Sequence, residues 1–258
     1  MKKIYFFLFA LMTCSFGFGQ TTVYTQDFET LNSGYTASTT EGTSGSDIDI
    51  FNRSNPDIGG NSSFLWAVED TDATNPDPAT ITLDQIDVSS LNDFTFSIDL
   101  LARHFEDWDS TDEMNITYSI DGGSSQNLLS VQMHKGNGDT FNGPAALDTN
   151  FDGDGECGTS TTLPALSTGT QHGCTVSNNQ FATFSSATIP LSGNTTLDIT
   201  ITFEKLTSTD EGIYLDNIDV TGTSATSDTQ VNFANSSSTV NEGDGTVALD
   251  LSIINEDA

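Results

Sequence analysis

Positive charge is the scarcest commodity in this chain. Lysine and arginine together number 6, against 37 Asp and Glu, for a formal charge of −31. Two of the six, Lys2 and Lys3, belong to the N-terminal segment; without them 6 − 2 = 4 basic residues remain and the charge is −31 − 2 = −33. Nucleic-acid binding depends on Lys and Arg displacing phosphate counterions, and anionic bilayers attract basic segments for the same reason, so both partners are excluded. Histidine is almost as rare: His104, His134 and His172 are scattered, with no HExxH spacing. No GxSxG elbow occurs. Paired carboxylates can hydrolyse glycosides, but among 37 acids no pair is singled out. The expectation is a protein that is not an enzyme. Past the first twenty residues no run approaches the roughly 18 apolar residues of a membrane helix, and no long segment has helical spacing.

What the N-terminus does contain is two lysines, an apolar run from Ile4 to Met12, and the small residues Gly17 and Gly19 before Gln20. Residues 1–19 read as a secretory signal peptide. A second reading takes Leu11-Met12-Thr13-Cys14 as a lipoprotein box with a lipid on Cys14. Either way the chain is exported, secreted or held at the cell surface, without membrane insertion after cleavage. Cys157 and Cys174 then remain, and an even pair in an exported protein points to a disulfide. They would staple a long Gly/Asp/Asn/Thr-rich insertion at about 135–179, a closure worth about 3 kcal/mol in the chain-entropy model.

Hydrophobic residues make up only 35% of the chain, but 17 of them are phenylalanine, each a large apolar contribution to a core. Period-two alternation dominates. Phe94, Phe96, Ile98 and Leu100 share one face, as do Ile116, Tyr118 and Ile120, and Leu197, Ile199, Ile201 and Phe203. Asp121-Gly122-Gly123 signals a hairpin turn. Further strands are expected at VYTQDFE, SSFLWAVE, ATITLD and QFATFSSATI. The expected fold is all-β, a jelly-roll β-sandwich over 21–222. A polar linker (223–228) follows, then a second alternation over 229–258 with too few strands to stand alone, so the chain is expected to stop inside a domain.

Four stretches are candidates for chemistry. In the closing strand EGIYLDNIDV, Ile213 and Leu215 fall at odd positions but Ile218 and Val220 at even ones, which predicts a β-bulge near Asp216-Asn217. Asp27 and Glu29 of TQDFET lie at the other end of the domain, and with Asp216 and Asp219 they can supply the oxygens that calcium requires. Asp148, Asn150, Asp152, Gly153 and Asp154 match the first half of a calcium loop, which Thr159 then breaks where a bidentate Glu belongs. Simple solvated acids or an Asp/Gly turn are the competing readings. In HFEDWDSTDE, Trp108, with Trp66 from elsewhere, is a candidate aromatic platform for a sugar ring; a half-buried tryptophan at the sandwich edge is the alternative.

DFE near the start and GIYLDNI near the end resemble the MAM and carbohydrate-binding-module type of jelly roll. That resemblance implies a structural calcium held by an acid of the first strand and one of the last, matched best by Glu29 and Asp216, with Asp27 second. STVNEGDGTVALDLSI resembles the opening strands of a Calx-beta domain, an immunoglobulin-like sandwich whose calcium site uses a first-turn Glu, here Glu242. Together these imply an extracellular, calcium-stabilised, non-catalytic recognition or adhesion module of a larger bacterial surface protein, with a glycan or protein ligand. The alternatives are a carbohydrate-binding domain targeting an attached hydrolase, and a ligand-free spacer.

Overall fold

The computed structural model describes residues 20–40, 50–56, 62–71, 78–103, 108–134, 143, 145–155, 181–206, 208 and 211–225, and the backbone of 229–233 and 251–255. Among these residues there is no helix, and therefore none long and apolar enough to cross a membrane. The chain divides into two units, residues 1–224 and 225–258.

The first unit is a sandwich of two antiparallel sheets. One contains β1 (Gln20–Gln26), β3 (Ile50–Ser54), β4 (Leu65–Glu69), β7 (Asp93–Arg103), β11 (Ala182–Ser185), β12 (Ile189–Pro190) and β14 (Gly212–Thr223). Its order is β11-β7-β14-β4-β3, with β12 also on β7 and β1 also on β14. The other contains β2 (Tyr35–Ala37), β5 (Ala79–Leu83), β6 (Ile86–Asp87), β8 (Glu113–Ile120), β9 (Gln126–Met133), β10 (Ala145–Asp148) and β13 (Thr196–Glu204). Its order is β10-β9-β8-β13-β5-β2, with β6 also on β13.

The alternation seen in the sequence is what closes the sandwich. Phe94, Phe96, Ile98 and Leu100 of β7 and Leu197, Ile199, Ile201 and Phe203 of β13 are buried in the shared core. Thr200 and Thr202 between them are half-buried on the other face, as a strand of period two requires. Aromatic rings add specific packing: Trp66 meets Phe51 at 5.1 Å and Tyr35 at 5.5 Å between centroids, and Phe51 meets Phe203 across the sheets at 5.6 Å. Each such edge-on pair contributes about 1 kcal/mol beyond its burial. The Asp121-Gly122 turn has φ of 50° and 66°, the paired positive values of a type I′ hairpin.

The phase slip in β14 is a real bulge. Asp216 pairs with Asp99 and Asp219 with Ser97, so one extra residue stands on β14, and Asn217 takes φ 46° to accommodate it. The same point marks a change of neighbour. Residues 212–215 pair with β4 on their second edge, and 218–223 pair with β1. The described part of the long insertion also holds more order than its composition suggests, because Ala145–Asp148 form β10 on the edge of β9. The rest of that insertion, with Cys157 and Cys174, lies outside the described residues, as do the segment 1–19 and Glu242.

In the second unit, β15 (Thr229–Phe233) pairs antiparallel with β16 (Leu251–Asn255).

Candidate metal centre

β7 and β14 run side by side, with Arg103 opposite Gly212, and β13 and β8 run side by side, with Glu204 opposite Glu113. The turns leading into β8 and β14 are therefore brought to the same end of the sandwich. Each turn carries an inward acid. Asp112 is 1% exposed and Glu211 5% exposed, and together with the half-buried Asp109 they place one ligand atom each within 4.8 Å of one another.

Both turns are built by the same device. In the first, the Asp109 N–H donates to Asp112 Oδ2 at 2.6 Å, and the Asp112 N–H donates back to the Asp109 carbonyl at 3.2 Å. In the second, the Ser208 N–H donates to Glu211 Oε2 at 2.8 Å, and the Glu211 N–H donates to the Ser208 carbonyl at 3.0 Å. A carboxylate three residues along the chain thus caps each turn. Asp109 Oδ1 is itself held, accepting from the Thr111 N–H and hydroxyl at 2.7 Å each. The first turn is pinned from outside by a bridge in which the Gly143 N–H donates to the Trp108 carbonyl at 2.7 Å. Only glycine fits there, since a Cβ would stand 2.6 Å from the His134 carbonyl oxygen.

One oxygen is left over. Among the described residues, Asp112 Oδ1 is buried with no hydrogen-bond partner. A buried acceptor without a donor costs about 1–3 kcal/mol, and two ionised acids at this spacing repel by roughly 3 kcal/mol at an effective dielectric near 20. Burial first, and then the charges of Glu211 and Asp109, push the Asp112 carboxyl up to about 8, against the pull of the Asp109 N–H. Three carboxylates converging on one point are the donor set of a hard divalent cation.

The acids expected at the first and last strands are placed differently. β1 ends at Gln26, opposite Ile218. Asp27 then accepts the Glu29 N–H at 3.0 Å, and Phe28, at φ 54°, turns into the core. Glu29 Oε1 accepts the Phe64 N–H at 2.8 Å, while Arg53 donates to the Phe28 and Glu29 carbonyls and stacks 3.4 Å over the Phe64 ring. Asp216 is 3% exposed at the bulge, and its Oδ1 accepts the Asn217 N–H at 2.8 Å. Asp219 Oδ1 accepts from the Thr25 hydroxyl at 2.7 Å. Among the described residues, Asp27, Glu29 and Asp216 are not gathered as Asp109, Asp112 and Glu211 are.

In the calcium-like loop, Asp148 is 2% exposed at the end of β10. Its Oδ1 accepts the N–H groups of Phe151 and Asp152, and its Oδ2 accepts that of Gly153 at 2.8 Å. Asn150 Oδ1 accepts the Asp152 N–H at 2.9 Å, and Asp154 sits 3.8 Å from His134. The tryptophan platform is corrected: Trp66 and Trp108 are both 0% exposed, so neither offers a ring face to a sugar. Both are core residues because their large apolar area is worth more inside.

The gathered trio was missed, yet it left a trace. Ser110-Thr111-Asp112-Glu113 and Ser208-Thr209-Asp210-Glu211 are the same tetrapeptide, each lying just before a strand or running up to one. The repeat begins at the second residue of the Asp109–Asp112 turn but at the first of the Ser208–Glu211 turn, so it marks where acids concentrate and not which of them meet.

No family model matches the chain, and no curated protein does. Solved structures with some likeness include the K3 cleaved adhesin domain of Lys-gingipain from Porphyromonas gingivalis W83, at 11% identity, with 79% of this chain and 99% of that chain covered and a TM-score of 0.40. The N-terminal cellulose-binding domain of β-1,4-glucanase C from Cellulomonas fimi is 11% identical over 75% of this chain and 91% of its own, with a TM-score of 0.32. The carbohydrate-binding module TmCBM27, described for specific mannan recognition, is 12% identical over 79% and 98%, with a TM-score of 0.31. At these scores the likeness adds nothing to the architecture that the sheets themselves define.

Proposed function

We propose that this chain is a non-catalytic binding module of a larger extracellular protein, with a glycan or protein ligand and with calcium as its stabilising ion. One observation carries the reading. β1 and β14 pair so that Gln20 lies opposite Thr223, and the chain therefore enters and leaves the sandwich at one end. The twelve-residue β14 carries its other terminus roughly 35 Å away. The turns at Trp108–Asp112 and Ser208–Glu211 and the bridge at Gly143 lie at that far end. Surface loops on a rigid scaffold, far from the connections, are where binding residues concentrate. The acidic charge supports cation binding, the N-terminal Lys2-Lys3 and Ile4–Met12 run supports export, and the resemblance of DFE and GIYLDNI to calcium-bearing jelly rolls puts Glu29, Asp216 and Asp27 among the acids to test.

The test is a screen of the full chain, in millimolar calcium, on glycan and extracellular-matrix arrays. Saturable binding to one ligand class, lost on substitution of residues at the far end, is the expected result. No binding on either array would favour a ligand-free spacer. Turnover of a bound glycan would replace the reading with an enzyme.

A further inference from the structure

We infer that Asp109, Asp112 and Glu211 form a calcium site that joins the turn before β8 to the turn before β14. This site is separate from the acids of the first and last strands and from the Asp148 loop, and it stands whatever ligand the module takes.

Two observations carry it independently. The first is convergence: three carboxylates from two turns, nearly a hundred positions apart in sequence, present ligand atoms within 4.8 Å of one another. The second is the orphaned acceptor. Asp112 is 1% exposed and its Oδ1 has no hydrogen-bond partner among the described residues, while its Oδ2 is held by the Asp109 N–H. A carboxylate that only shaped the turn would need one oxygen, and Oδ2 already does that work. The second oxygen is kept out of water beside two further acids, an arrangement unfavourable for the ionised group unless a proton or a cation sits among them.

The donor chemistry selects the ion. All three groups are hard oxygen donors, which disfavours the softer transition metals. Magnesium keeps most of its waters and takes one or two carboxylates, whereas calcium takes six to eight oxygens and accepts bidentate carboxylates in irregular geometry. Three carboxylates, with water completing the shell, suit calcium. Sites of extracellular modules bind at about 10⁻⁴–10⁻³ M, a range in which the ion is bound outside a cell and lost on chelation. Its structural effect is to tie the β7–β8 connection to the β13–β14 connection. The second of these is already attached to the segment after β4, because the Thr71 N–H donates to the Leu206 carbonyl.

The test is calorimetric titration of calcium chloride into the full chain after stripping with EDTA, paired with terbium luminescence excited through tryptophan, since Trp108 is the residue next to Asp109. The wild type is expected to bind calcium, and calcium is expected to quench the terbium signal by displacement. Asp112→Asn and Glu211→Gln should each weaken binding at this site at least tenfold, and Asp216→Asn and Asp148→Asn should leave the tryptophan-sensitised signal in place. Should either of the first two variants fail to fold, Asp109→Asn, at a half-exposed position, must give the same loss. A wild type that binds no calcium below about 10 mM overturns the site, and so does an unchanged titration in Asp112→Asn or in Asp109→Asn. Calcium binding that survives these changes but disappears in Asp216→Asn would move the ion to the strand ends and overturn this site alone, leaving the module reading untouched.

Discussion

Asp148 and Asp112 are both aspartates buried to within 2% of completely, one at the end of β10 and one just before β8. Asp148 accepts three backbone N–H groups across both of its oxygens. Asp112 accepts one, on Oδ2 only, and shares its surroundings with two more acids. The first carboxylate is satisfied by the loop it organises, so its contribution is to hold that loop. The second is half satisfied and faces two further acids, so its place is filled by a proton or by a cation that displaces it. Burial of an acid alone says little about function; how each of its oxygens is partnered says more.

The contrast can be broken most forcefully at Asp148. Asp148→Ala leaves three N–H donors without their acceptor, and a loss of about 3 kcal/mol is expected, seen as a lower melting temperature by the same amount with calcium or with EDTA. A smaller loss in EDTA than in calcium would mean that this loop, too, carries an ion. Next in size is removal of calcium from the wild type. At a hundredfold excess of ion over its dissociation constant, linkage predicts about 2.7 kcal/mol, which for a domain of this size is a fall of about 5–10 °C on adding EDTA. Asp112→Asn should abolish that fall. In EDTA the same variant should lie within about 1 kcal/mol of wild type, because an amide of the same shape replaces a buried acid pressed against two others.

The smallest effect belongs to the opposite end of the sandwich. Asp121 Oδ1 accepts the N–H groups of Thr195 and Thr196 at 3.0 and 2.9 Å, and Oδ2 accepts from Asn194 at 2.8 Å. The Asn194 amide and these N–H groups hold its carboxyl well below the usual carboxylate range. A depressed pKa contributes stability above the unfolded value, near 4, that is lost as pH falls toward the folded one. Melting of Asp121→Asn should therefore converge with wild type below about pH 4, while the wild type stays slightly ahead at neutral pH. A difference that grows on acidification would reverse the sign and contradict the assignment.

Much of the architecture was legible because its signals are local. The Phe94–Leu100 and Leu197–Phe203 alternations, the Asp121-Gly122 turn and the phase slip at Asp216-Asn217 each follow from the period of a strand or the conformation of a turn, and all are present. β3 and β10 were not legible, since Ile50–Ser54 and Ala145–Asp148 are short strands in polar or small-residue sequence whose extended state comes from pairing with β4 and β9. The tryptophans misled for a related reason. Trp108 sits between acids in sequence, yet its neighbours in space are core residues. The metal trio depends on non-local pairing, since only the juxtaposition of β7 with β14 and of β13 with β8 brings two turns a hundred residues apart to one point.

Hydrogen exchange read by mass spectrometry, with and without calcium, tests where the ion acts without any substitution. Calcium should slow exchange chiefly over 108–112 and 208–212, with little change across the β1–β14 pairing at 20–26. Slowing confined to 20–29 and 216–220, or no slowing anywhere, would contradict a cation centred on Asp109, Asp112 and Glu211.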